Sequence, residues 1–171
     1  MLAYKFLSPG ATGRFSGFRW PAPGEWVEPP GPVALCGSGV HACRLADLPL
    51  WIDEELWRIE LGGDILETES VVVAERGRLV ELVEAWCPEA MLEFVRACAA
   101  RAQEHAGAAG TERTAGYAAD AQYYAGQPLS AANAAVTSYV AAHTAEAARA
   151  DGLAAERAWQ AGWLAQRLEL S

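Results

Sequence analysis

Cys36, His41 and Cys43 are the residues whose types and spacing come closest to a chemical constellation, in the segment Cys36-Gly37-Ser38-Gly39-Val40-His41-Ala42-Cys43. Thiolate and imidazole are both zinc-ligand types, but this spacing matches no common ribbon or finger, and no fourth ligand is evident. No metal site is therefore expected, and small residues on a buried strand edge are the simpler expectation for both cysteines. On a strand, His41 and Cys43 project from the same face. That parallel geometry does not aim thiol and imidazole at each other, as a Cys–His nucleophile pair requires. His41 has a second potential. It follows Gly39 directly after a turn, where an imidazole can hydrogen-bond a ribose hydroxyl or a phosphate while the glycine permits close approach. The plainer alternative is a ring that bonds a neighbouring carbonyl.

Two carboxylates, Glu60 and Glu75, sit on otherwise apolar strands and are the acids most expected to face a cleft. No carboxylate pair has a spacing diagnostic of glycoside hydrolysis. Walker, GxGxxG, GxSxG and HExxH patterns are absent from the sequence. The stretch from Ser8 to Gly24 is rich in Gly, Pro and aromatic residues, and Phe15, Phe18 and Trp20 make it too apolar for a solvated linker. Such a stretch is either a binding loop or an arm packed over a sheet. Together with Gly39, His41, Trp51 and Trp57, its aromatics outline a ligand site.

The elements that must position these residues divide at Cys87-Pro88. Before it, strands are expected at Ala3–Leu7, Glu25–Glu28, Val40–Cys43, Leu56–Leu61, Ile65–Glu69 and Ser70–Glu75, from period-2 alternation of apolar residues. Residues 45–52 suggest one or two helical turns. Gly62-Gly63-Asp64 and Arg76-Gly77-Arg78 have turn composition, and residues 79–86 combine strand-like with helix-like spacing. After Pro88, four alanine-rich helices are bounded by Pro88, Thr111, Ser130 and Gly152. In the last, Trp159 and Trp163 lie one turn apart beside Leu164 and Leu168, a face that either docks intramolecularly or forms a dimer seam. The expected class is α+β: an antiparallel sheet of about five strands in residues 1–86, then a bundle of about four helices in residues 87–171, as one compact domain.

The chain has 171 residues, 52% of them hydrophobic and 20% charged, which fits a globular protein. Its net charge of −9 argues against nucleic acid and against an anionic membrane surface as partner. The opening residues contain no apolar signal segment, so a cytoplasmic protein with reduced thiols is expected. Lys5 is the only lysine among many arginines and alanines, a bias typical of GC-rich bacterial genomes. The partner is expected to be a small polar ligand, nucleotide-like compounds among them, or alternatively another protein. The chain would act as a monomer or homodimer, and no motif names a cofactor.

The Cys36–Cys43 segment resembles uncharacterised bacterial and phage proteins with a C-x2-G-[hydrophobic]-H-[small]-C pattern, over about residues 31–65. That family carries no established activity to transfer. A looser similarity is to ADP-ribosyltransferase-like folds, which implies that His41 would hold a nicotinamide ribose and that Glu60, Glu75 or Glu81 would be the acid. The tail Glu156-Arg157-Ala158-Trp159-Gln160 is similar in composition to tails of actinobacterial proteins, some labelled immunity proteins, which implies action by docking.

Overall fold

The computed structural model describes residues 1–35 and 37–171, in two compact units, Met1–Glu84 and Ala85–Ser171. In the first, strands β1 (Leu2–Leu7), β2 (Val40–Ala42), β3 (Glu55–Glu67) and β4 (Val72–Leu82) form one antiparallel sheet in the order β1-β3-β4-β2. The sheet curls until its outer members meet. The Tyr4 N–H donates to the Cys43 carbonyl at 2.9 Å, and the Cys43 N–H to the Tyr4 carbonyl at 2.8 Å. Alternation along each strand sends Ala3 and Leu7, Val40 and Ala42, Ile59 and Leu61, and Val72 and Ala74 into a common core that Trp20 joins from the loop after β1. Each such Val, Leu or Ile side chain contributes about 1.5–3 kcal/mol by leaving water. A 3-10 helix, Leu45–Leu50, connects β2 toward β3.

The α+β class holds, with four strands rather than about five among the described residues. The difference lies in two glycine segments that have turn composition but sit inside strands. β3 continues through Gly62-Gly63-Asp64, where a bulge between Gly62 and Ile65 shifts the register. β4 continues through Arg76-Gly77-Arg78. A Cβ at Gly77 would come 2.7 Å from Val40 Cγ1, so the tight curl of the sheet, not a chain reversal, demands glycine there. The reversal lies instead at Thr68–Val71. There the Thr68 N–H donates to the Val71 carbonyl and Thr68 Oγ1 accepts the Val71 N–H. The expected strand at Glu25–Glu28 is reduced to one bridge, Val27 with Gly77.

In the second unit, α1 (Pro88–Ala109), α2 (Glu112–Ala125), α3 (Ala131–Ala148) and α4 (Gly152–Arg167) follow the expected boundaries closely. Pro88 opens α1, and Gly110 closes it in a left-handed conformation. The Thr111 and Ser130 side chains cap α2 and α3 by accepting the N–H groups of Thr114 and Asn133. The buried positions of α3 are all Ala, Ser or Thr, which allows its neighbours α1, α2 and α4 to approach closely. α4 departs from expectation. Its enclosed stripe is Gly152, Glu156, Gln160 and Leu164, while Trp159 and Trp163 are only half-buried on its flank. Among the described residues no helix is long and apolar enough to cross a membrane.

Candidate functional site

The loop after β1 is ordered by its own backbone and by one carboxylate. Ser8 and Thr12 exchange backbone hydrogen bonds at 2.9 and 3.1 Å, the Gly13 N–H reaches the Phe18 carbonyl at 2.8 Å, and the Trp20 N–H reaches the Ala11 carbonyl at 2.9 Å. Glu55, the first residue of β3, accepts the N–H groups of Gly10 at 2.7 Å and Ala11 at 3.0 Å. Arg14 anchors the tip by donating to the Ile52 carbonyl at 3.3 Å. The stretch is therefore a folded arm, and it arches over a cavity of about 1160 Å³ bounded by β1, β2 and Trp51. Small-molecule sites occupy about 300–1,000 Å³, so this cavity is large enough for one.

Seven of the residues singled out in the sequence border this one cavity: Phe15, Phe18, Trp20, Gly39, His41, Cys43 and Trp51. Trp20 is buried and meets Phe18 edge-on at 5.9 Å, whereas Phe15 is 87% exposed at the rim. Trp51 is oriented by its indole N–H, which donates to the Ser70 carbonyl at 3.0 Å. Gly39 enters β2 with φ of 125°, and a Cβ there would stand 2.6 Å from Val73 Cγ1. It therefore sets the backbone beside the cavity in a way no other residue can. His41 is half-buried, with Nδ1 3.2 Å from the Gly39 carbonyl, which leaves Nε2 as the nitrogen available to a ligand.

Three singled-out residues stand elsewhere. Glu60 is paired with Arg78 at 2.6 Å on the sheet. Glu75 is exposed on β4, accepts the Asp64 N–H at 3.2 Å and borders a separate, smaller hollow. Trp57 packs against the sheet core and donates its indole N–H to Glu55 at 3.0 Å. Glu81, the third acid implied by the ADP-ribosyltransferase likeness, is paired with Arg58 at 2.9 Å. The acids of that likeness are thus not gathered around His41. Cys36 lies outside the described residues. Cys43 is buried, and burial, with the nearby charge of Asp47, pushes its thiol up to about 12, far from a thiolate ligand at neutral pH.

The most informative cavity residue had no place in the sequence-based site. Lys5 stands between Ala3 and Leu7 on the face of β1 that enters the core, half-buried and bordering the cavity. Its ammonium donates to the His41 carbonyl at 2.5 Å and lies 5.5 Å from the Trp20 ring centre. Among the described residues no carboxylate is within ion-pair distance of it. Burial lowers its pKa from 10.5 to about 8. The signal was present in the alternation Ala3-Lys5-Leu7, a charge on an otherwise apolar strand face. Asp53 also borders the cavity, holding the Ser8 hydroxyl at 2.9 Å and the Glu54 N–H at 2.9 Å. A hydrogen bond with Asp53, partial burial and repulsion from its charge raise the Glu54 carboxyl to about 7. No protein-family model, curated protein or solved structure matches the chain.

Proposed function

We propose that the unit Met1–Glu84 is a small-molecule binding domain whose ligand occupies the cavity beneath the aromatic arm. What carries this reading is the convergence of Phe15, Phe18, Trp20, Gly39, His41 and Trp51 on one space of about 1160 Å³. Apolar walls with a few polar groups are the usual composition of a ligand pocket, the walls supplying affinity and the polar groups orientation. His41 and Lys5 provide the polar handles, one an imidazole and the other an ammonium. Binding is favoured over turnover because Glu60 and Glu75 are engaged outside the cavity by Arg78 and by the Asp64 N–H.

The test is a thermal-shift screen of nucleotides and amino-acid metabolites on the full chain, repeated with His41→Ala. A ligand in the cavity raises the unfolding temperature by mass action, and the shift should shrink in the variant. Absence of a shift with every compound, together with an unaltered response in His41→Ala, would remove this function.

A further inference from the structure

Resting on the reading of the cavity as a ligand site, we propose that it selects small aromatic anions, with Lys5 as the cation that holds the acidic group. An ammonium has three donors. Lys5 has one acceptor among the described residues, the His41 carbonyl, and the face of Trp20 attracts its charge without neutralising it. A buried charge is costly unless it is paired and hydrogen-bonded. The acidic groups that border the same cavity are engaged elsewhere. Asp53 takes the Ser8 hydroxyl and the Glu54 N–H, and Glu28 lies 3.4 Å from Arg76. Arg14, which donates to the Ile52 carbonyl and lies over the Phe15 ring with Glu54 nearby, adds a second positive charge to the lining. An anion entering the cavity therefore supplies the counter-charge and the acceptors that the fold withholds from Lys5. The rings of Phe15, Phe18, Trp20 and Trp51 favour a flat apolar body behind that acidic group.

Two fluorescent probes with the same ring system separate the parts of this assignment: anilinonaphthalene sulfonate, and the uncharged N-phenylnaphthylamine. The full chain should bind one sulfonate probe, and bind it about ten- to a hundredfold more tightly than the uncharged one, the range expected for a hydrogen-bonded charge pair. Lys5→Met, which keeps length and removes charge, should abolish that preference. Equal affinities in the native chain, or a preference that survives Lys5→Met, would overturn the anion assignment while leaving the cavity reading intact. Binding of neither probe would overturn both.

Should Lys5→Met fail to fold, the native chain provides the same decision through pH. Sulfonate affinity should decline as pH rises through about 8, where Lys5 loses its proton, while the uncharged probe stays level. The sulfonate remains ionised throughout. Cys43, which keeps its proton to about 12, Tyr4, His41, Arg14, Asp53 and Glu28 are the other ionisable groups bordering this space. A sulfonate affinity without that decline would refute the role of Lys5.

Discussion

Two charges on inward-facing positions, one enclosed and one half-buried, meet opposite surroundings in the two units. In the helical unit Glu156 is enclosed on α4, and its carboxylate accepts from Arg101 Nε at 2.8 Å, Arg101 Nη2 at 2.8 Å and His105 Nε2 at 2.9 Å. The Arg101 guanidinium in turn lies 4.2 Å from the Trp159 ring centre. Gln160, one turn on, donates to the Ser138 carbonyl at 2.9 Å and accepts from Arg157. Among the described residues no buried side-chain polar atom there lacks a partner, and the network fixes the register of α4 on α1 and α3. In the β-rich unit Lys5 has a carbonyl, an aromatic face and an open cavity. A charge that the fold satisfies serves the fold. A charge left for something else to satisfy marks a candidate site.

The first way to break this contrast is Glu156→Ala. It strands Arg101 and His105 and should cost roughly 3 kcal/mol, the low end for breaking a buried pair, because Arg101 is 25% exposed and can reach water. Urea unfolding followed by helical circular dichroism measures it, and a loss below about 1 kcal/mol would mean that the network is not structural.

Lys5→Met should have the opposite sign. The ammonium's pKa is lower in the fold, about 8 against 10.5, so its burial cost is present in full below pH 8. The cost fades as pH rises through 8 and is gone above 10.5. Such a shift corresponds to at most about 3 kcal/mol. After the lost bond to the His41 carbonyl is allowed for, a gain of about 1–2 kcal/mol is expected at pH 7, shrinking toward pH 10. Cys43 acts the other way in both chains, because a thiol held to about 12 withdraws stability above pH 9. The difference between the chains is therefore the quantity to follow. A destabilised Lys5→Met at neutral pH would remove the contrast.

Trp163→Ala is a milder test of the helical unit. Trp163 meets the buried Phe94 at 5.3 Å between ring centres, but is itself half-buried. The cost should be about 2 kcal/mol rather than that of a fully enclosed indole. It should be independent of protein concentration, because the ring packs on α1 of its own chain. A cost that grows on dilution would return this face to a dimer seam.

The helical unit was legible because its boundaries are local chemistry. Pro88, Thr111, Ser130 and Gly110 act within one turn of themselves, and each stands where its residue type directs. Less legible was the inside of the bundle. Alanine-rich helices bury whichever residues the small faces admit, so Glu156 and Gln160 went in and the tryptophans stayed on the flank. In the sheet, Gly63 and Gly77 have turn composition, yet a curled sheet also needs glycine at bulges and close approaches. Periodicity does not separate the two demands. The aromatic wall of the cavity was readable because apolar residues in a long irregular stretch must be covered. Lys5 was hidden by its own strand, where one charge among apolar residues reads as the solvent side until the curl turns that face inward.

The smallest expected effect concerns the residue with the least local signal. Glu55 reaches back across the chain to hold the amides of Gly10 and Ala11, and no pattern near position 55 announces it. The carboxylate also takes the indole N–H of Trp57, so one side chain ties the aromatic arm to β3. Glu55→Gln keeps one carbonyl acceptor and loses the charge and the second oxygen, which should cost about 1 kcal/mol. Its clearest trace is local. Exchange of the Gly10 and Ala11 amides should quicken severalfold while amides of β3 and β4 keep their protection, because the arm opens without the sheet. The same variant should weaken both naphthalene probes alike, since it loosens the walls of the cavity and leaves Lys5 in place. If only the sulfonate probe weakened, Glu55 would act through the charge balance of the cavity rather than through the arm. Lys5 would then be less alone than its contacts indicate.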